Sequence, residues 1–240
     1  MAETIRSDVL VIGGGIAGLV TALDCLAAGL SVALVDRDAR ERLGGLALTA
    51  FGGMALVGTP LQKRMKIPDT PEVAFRDWVR FGELAETATL PRAWARHYVE
   101  RSRPEVYDRL VGMGLKFLPA VNWVERGRFG EGNALPRYHV LWGTARRLTL
   151  RLIEEVERAG AGGRLRLVCG ARITGLDVAA GTVAGATATD EATGAELRFA
   201  APVVVLAMGG INGGHDEVRR NWPADRPMPA KMLNGAHPFA

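Results

Sequence analysis

The sequence predicts an α/β fold: a parallel sheet with a helix wound over it, a β-meander added late in the chain, and a helical insertion between them. Three observations carry this expectation. The first 36 or so residues run strand, helix, strand around a glycine-rich bend. From Thr59 to Met113 apolar residues recur at helical spacing, broken by prolines. From Arg164 onward the chain falls into short alternating segments divided by glycines.

Taken in order, "SDVLVI" (Ser7 to Ile12) reads as one short strand, continuously apolar as a buried parallel strand is. "IAGLVTALDCLAAG" follows as a helix, with Leu19, Ala22, Leu23 and Leu26 on one face and Gly29 as its stop. "LSVALVD" is the next strand and ends at Asp36. The bend between them, "GGGIAG", carries G-x-G-x-x-G on Gly13, Gly15 and Gly18, with Gly14, Ile16 and Ala17 in between. In a βαβ unit these glycines serve a tight turn, a close backbone approach to a pyrophosphate, and close helix–strand packing. Free N–H groups at the helix start then favour a phosphate charge. Asp36, with Arg37 behind it, would accept hydrogen bonds from ribose hydroxyls and repel a 2′-phosphate. A tight turn without ligand and a solvated strand-end acid are the alternatives. The reading is a Rossmann-like dinucleotide site, with NAD and FAD both open.

Between Thr59 and Met113, Pro60, Pro68, Pro71, Pro91 and Pro104 divide short amphipathic helices. In "TPEVAFRDWVRFGELA" Thr70 is the cap, Pro71 takes the first helical position and Glu72 follows. Trp78, Trp94 and Tyr98 are expected to pack these helices together. "KFLPAVNWVERGRFGEGNALPRYHVLWGT", Lys116 to Thr144, reads as a long aromatic, glycine-rich loop, and loops of such length often carry function. Tyr138 and His139 are its catalytic candidates, a buried and satisfied histidine being the alternative. "RRLTLRLIEEVERAG" is a helix stopped by Gly160. "RLRLVC", "ARITGLDV", "GTVAGATATD" and "AELRFA" then read as a β-meander, and "PVVVLAMGGINGG" as a buried strand ending in a glycine turn.

Composition narrows the function classes. The 240 residues are 48% apolar, enough for a sizeable core, and the formal charge is +4. Arginines are interleaved with acids, as in "RDARER", rather than gathered on one tract, which argues against a nucleic-acid partner. Cys25 and Cys169 form no spaced metal or disulfide pattern, so no metal is expected and a reducing, cytoplasmic setting is. No apolar stretch approaches the roughly 18 residues of a membrane span, and "MAETIRSD" has no signal core.

After Asp36 comes "RLGGLALTAFGGMAL", where Gly44–Gly45 and Gly52–Gly53 bracket a segment too rich in glycine for a crossover helix. A second glycine loop suits backbone donors along a longer, bent cofactor. Here the chain resembles the FAD-dependent flavoproteins of the fumarate reductase and succinate dehydrogenase superfamily, which carry GG-x4-S-x-GG near the pyrophosphate and flavin. Ala50 stands in the serine position, with Thr49 beside it. Ala207, Met208, Gly209 and Gly210 match the superfamily's A-T-G-G strand end except at Met208. "GGLALTAFGG", "NWVERG", "GNALPRYHVLWGT" and "GGINGGHDEVRRNWP" most resemble FAD-binding dehydrogenases related to 3-ketosteroid dehydrogenases.

The resemblance implies an FAD-binding domain from residues 1–57 and 141–222, a helical insertion and loop at 58–140, and the start of a continuation at 223–240. Cofactor contacts are expected at Gly13, Gly14, Gly15, Ile16, Ala17, Gly18, Asp36, Arg37, Gly44, Gly45, Thr49, Gly52, Gly53, Ile173, Ala207, Met208 and Gly209. Covalent-flavin members carry a histidine in the segment after the ribose acid; none lies between Asp36 and Gly53, so the FAD is expected to be non-covalent. The implied reaction is hydride transfer between flavin N5 and a carbon–carbon bond of a small molecule, steroid-like or an unsaturated acid. Relatives continue into a capping domain and a returning strand. The cap is therefore expected to be missing here, supplied by a continuation or a second polypeptide, and the exposed faces are expected to self-associate. A non-enzymatic remnant and an NAD-binding module are the alternatives.

Overall fold

The computed structural model describes residues 4–127, 130–210 and 213–232; part of the continuation expected at 223–240 thus lies outside the described residues. In chain order the elements are β1 (Thr4–Arg6), β2 (Val9–Ile12), α1 (Ile16–Ala27), β3 (Val32–Val35), β4 (Gly53–Ala55), α2 (Pro60–Arg64), α3 (Pro71–Phe81), α4 (Thr89–Arg101), α5 (Arg109–Gly112), β5 (Phe117–Asn122), β6 (Tyr138–Leu141), α6 (Thr144–Ala159), β7 (Leu165–Val168), β8 (Ala171–Ala179), β9 (Thr182–Asp190), β10 (Glu196–Ala200), β11 (Val203–Leu206) and α7 (His215–Asn221). They fall into two compact units, Met1–Thr49 with Thr149–Ala240, and Ala50–Leu148.

The first unit is built on a parallel sheet in the order β11-β2-β3-β7. Every residue of β2 and β3 is buried, because both faces are covered. On one face Leu10, Ile12, Ala33 and Val35 meet Ala171, Ala186, Ala188 and Phe199 of a second sheet, ordered β1-β10-β9-β8, with Ala201 just beyond β10. The alanines let the sheets approach closely, and Phe199 is the large side chain that fills the interface. α1 lies against β2 and β3 with Leu19, Ala22 and Leu26 buried. Arg164 closes two helix ends at once, donating to the carbonyls of Leu26 and Ala159.

The strand read within Ser7 to Ile12 is β2, which lies in the parallel sheet. Ahead of it, β1 is a further strand that runs parallel to β10 in the meander sheet. The chain changes sheets at Asp8, whose carboxylate accepts from the Ser31 N–H and hydroxyl. "RLRLVC" is not part of the meander, which is β8-β9-β10 alone; β7 pairs parallel with β3. As an edge strand with one partner it exposes Arg166, so its pattern alternates like that of a half-solvated antiparallel strand.

The second unit has an antiparallel sheet, β4-β6-β5, beside α2 to α5. Thr59 and Gln62 form a reciprocal capping box on α2, and the Thr70 hydroxyl accepts from the Val73 N–H at the start of α3. Trp78 and Tyr98 do pack α3 on α4, edge to face at 5.1 Å. Trp94 does not join them and is 70% exposed. The segment read as a loop from Lys116 to Thr144 contains β5 and β6; the register break between Phe117 and Val121 disguises the strand period. This unit runs from Ala50 to Leu148, and within it Gly53–Ala55 pairs with Tyr138–Val140.

Phe199→Ala should destabilise the protein by about 3–5 kcal/mol, since an interface of alanines has few large side chains to collapse into the gap. Urea denaturation measures this; a loss below about 1 kcal/mol would contradict the packing described.

Candidate functional site

The bend after β2 is crowded on three sides. The Gly13 N–H donates to the Val35 carbonyl at 2.7 Å, and Gly13 has φ +105°, a conformation that disfavours any side chain. A Cβ there would lie 2.4 Å from the Ala207 carbonyl oxygen, which β11 brings alongside β2. At Gly14 it would meet Leu43 Cδ1 at 2.2 Å, and at Gly18 it would strike the Gly13 oxygen at 1.8 Å. Gly15 differs. Its backbone is ordinary extended chain, φ −74° and ψ −175°, and a Cβ would meet nothing within 4 Å. Neither conformation nor packing asks for glycine at this position.

Gly15 is also the N-cap of α1, with no side chain capping the helix and no acid in its first turn. The leading N–H groups of a helix have no intrahelical partner, and with the helix dipole they favour an anion. Ile16 and Ala17, exposed in the first turn, border this opening. On its other side Gly45 approaches, such that its missing Cβ would lie 3.6 Å from Gly15 Cα. Open space at Gly15, beside a second stretch of side-chain-free backbone and at an uncapped helix start, suits a diphosphate.

Asp36, at the end of β3, anchors the bend. Its Oδ2 accepts from the Gly14 N–H at 2.5 Å and its Oδ1 from the Asp38 N–H at 2.8 Å. A carboxylate has about four acceptor positions, so it retains capacity for further donors. Arg37 turns toward the meander, 3.6 Å from Glu191, which also accepts from Arg172. Gly44 is pressed against Thr149 of α6, whose Cγ2 would lie 2.2 Å from a Cβ. The Thr49 hydroxyl donates to Leu46 within its own turn, and Ala50 supplies no hydroxyl. Ile173 packs against the core between the sheets. After β11, Ala207 adjoins Gly13, Met208 is half exposed, and Gly209 stands in open space.

The remaining candidates lie in the second unit. Gly52 packs on the backbone of Thr144 and Ala145, and Gly53 lies under the Tyr138 ring, where a Cβ would sit 1.8 Å from the hydroxyl oxygen. Tyr138 thus covers a strand. His139 is fully buried, with Nε2 on the Thr59 hydroxyl at 2.8 Å and Nδ1 on the Arg137 carbonyl at 2.6 Å. Both ring nitrogens are occupied, the arrangement of the buried and satisfied histidine that was the alternative to a catalytic one. Beside it Arg137 makes a two-pronged ion pair with Asp69, both contacts 2.8 Å, and a third contact to Asp77 at 2.7 Å. Burial opposes the Arg137 charge, and the two carboxylates outweigh it, holding the guanidinium more firmly protonated than usual. Of this network Arg137 alone reaches an apolar cleft of about 190 Å³, which Trp78, Phe81 and Tyr98 also line. Sequence reading missed Leu43 and Thr149 at the bend. Leu43, an apolar residue ending the charged run "RDARER", was the available signal. Among the described residues no acid, histidine or cysteine group could hold a metal, and no helix is long and apolar enough to cross a membrane.

A parallel sheet whose inner strand ends at a side-chain-free, uncapped helix start defines a phosphate-binding nucleotide domain. Comparison with known proteins specifies it. A family described as FAD binding domain matches residues 8–237, and the chain belongs to that family; its cofactor is FAD. A KsdD-like steroid dehydrogenase of Mycobacterium tuberculosis is 34% identical over an alignment covering 98% of this chain and 44% of that protein. Among solved structures, a 3-ketosteroid Δ4-(5α)-dehydrogenase of Rhodococcus jostii, in complex with 4-androstene-3,17-dione, superposes with a TM-score of 0.77 at 26% identity, covering 91% of this chain and 49% of that one. A flavocytochrome c3 fumarate reductase gives 0.76 at 25% identity, covering 91% and 36%. The chain spans about half the length of these relatives, or less.

Burial holds the His139 pKa below its ordinary value, partly offset by its bond to the Arg137 carbonyl and by Asp69. In the unfolded chain it would take up a proton near pH 6.5, while the folded protein resists until lower pH. The protein should therefore lose stability as pH falls below about 6.5, down to the depressed folded value. His139→Gln should flatten that part of the stability–pH curve, measured by urea melts between pH 7.5 and 5; curves that stay parallel would contradict it.

Proposed function

We propose that this chain is the cofactor-holding part of a flavin-dependent dehydrogenase or reductase. Its FAD is bound without a covalent link, and its substrate is steroid-like or an unsaturated acid. The observation that carries the reading is the open space at Gly15, where a glycine has no structural reason to stand. The amides of Gly15, Ile16 and Ala17 would hold the diphosphate, with the backbone of Gly45 alongside Gly15. The spare acceptor capacity of Asp36 suits ribose hydroxyls, and its charge disfavours a 2′-phosphate. Bound FAD supplies hydride transfer at flavin N5; the chain's own task is to bind and orient it. The substrate class is supported by the relatives, whose names include steroid dehydrogenases and fumarate reductases. The non-covalent link is supported by the absence of histidine between Asp36 and Gly53.

Two measurements test this. Acid or heat precipitation of the yellow holoprotein should release all flavin into the supernatant; colour retained on the polypeptide would contradict a non-covalent link. The holoprotein is then assayed for reduction of an artificial acceptor by 3-ketosteroids and for fumarate-dependent oxidation of a reduced dye. Turnover in either assay supports the substrate class. Bound FAD with neither reaction would overturn it.

A further inference from the structure

We infer that the apolar cleft of the second unit binds a flat, uncharged ring compound that carries a carbonyl oxygen. Trp78 and Phe81 lie three residues apart on α3 and so stand side by side along one wall, with Tyr98 of α4 also lining the cleft. Trp78 is 41% and Phe81 49% exposed, so both rings are accessible to a flat ligand. The Tyr98 hydroxyl gives its one hydrogen to the Ala55 carbonyl at 2.8 Å, which leaves none for a ligand. Donors to the cleft come instead from Asn133 and Arg137, which line it as well.

A guanidinium has five N–H donors. In Arg137, Nε and Nη2 hold Asp69, and Nη1 holds Asp77 and the Asn133 Oδ1. Among the described residues the second Nη2 hydrogen has no acceptor. The side chain is only 5% exposed, and a donor so deeply placed calls for a partner. Asn133 accepts from Arg137 through Oδ1, which leaves its amide hydrogens as further donors. Charge then separates a ketone from a carboxylate. Arg137 and Arg80 face Asp69 and Asp77, and Glu131, which also pairs with Arg80, tips the balance negative. A carboxylate brought here would find no spare counter-ion, whereas a carbonyl oxygen needs only the donor. The volume, about 190 Å³, lies below the roughly 300–1,000 Å³ of pockets for drug-sized ligands and suits a molecule of one or two rings. None of these residues belongs to the expected cofactor contacts, and failure of the FAD-binding reading would leave this site untouched.

The protein is titrated with α-tetralone, a two-ring ketone, and with two controls: tetralin, the same skeleton without oxygen, and 2-naphthoate, a flat carboxylate. Affinity is read by saturation-transfer NMR on the ligand resonances, within the solubility of the hydrocarbon. α-Tetralone should bind saturably, with nuclear Overhauser contacts to the Trp78 indole. Tetralin should bind about fivefold more weakly, the scale of one net hydrogen bond, and 2-naphthoate about tenfold more weakly. Phe81→Ala, at a half-exposed position, should weaken α-tetralone by about tenfold through lost apolar contact, with its melting temperature recorded to confirm folding. Should that variant not fold, the contacts to Trp78 in the parent decide the location. Absence of saturable binding in the parent would overturn the inference, as would contacts that miss Trp78 or parent-like affinity in folded Phe81→Ala. Equal affinity for tetralin, or 2-naphthoate binding as tightly as the ketone, would overturn it too, because the carbonyl and the neutral charge would then select nothing.

Discussion

The pairing of β11 with β2 places the Ala207 carbonyl where a side chain at Gly13 would stand. Much of the first unit's function hangs on that crowding. With Gly13 forced into a side-chain-free turn, its own carbonyl comes to lie against Gly18, and α1 can dock close on the sheet. Asp36 at the end of the neighbouring strand then accepts the Gly14 N–H and fixes the turn from the third side. What is left over is one uncrowded residue, Gly15, at the dipolar end of a helix. Three of the four glycines are consumed by packing, and the fourth is left open.

The second unit uses polar groups for a different purpose. Arg137, Asp69, Asp77, Gln62, Thr59 and His139 are nearly inaccessible and bonded to one another. Such a cluster is costly to bury unless every member is satisfied, and removing one partner leaves an uncompensated charge or donor. Asp77 also takes the Ala134 N–H and an Arg80 contact, which ties the strand-to-strand segment onto α3. The network serves to define one arrangement of strands and helices, and His139 is bonded into it through both ring nitrogens.

The site was more legible than the sheets around it. The glycine spacing, the acid at the end of β3 and the second glycine pair each impose a residue type that chance seldom supplies together, so the bend could be read as a phosphate site. The roles within it could not: Gly13, Gly14, Gly15 and Gly18 look alike as letters, and only their neighbours distinguish packing from binding. Strand partners were hidden for a related reason. β7 at a sheet edge and β10 in the meander show similar alternation, yet one pairs parallel with β3 and the other antiparallel with β9. Periodicity reports how many faces are wet, not which strand lies alongside. Leu43 and Thr149 were overlooked because each acts through a glycine elsewhere in the chain.

The central claim is that Gly15 is glycine for the ligand's sake and not for the fold's. Gly15→Val tests it directly, by FAD titration of the variant together with the melting temperature of its apo form. The extended backbone and open space at this residue predict a melting temperature within about 4 °C of the parent, the scale of a changed helix cap, with FAD binding lost. A variant that binds FAD as the parent does would contradict the account.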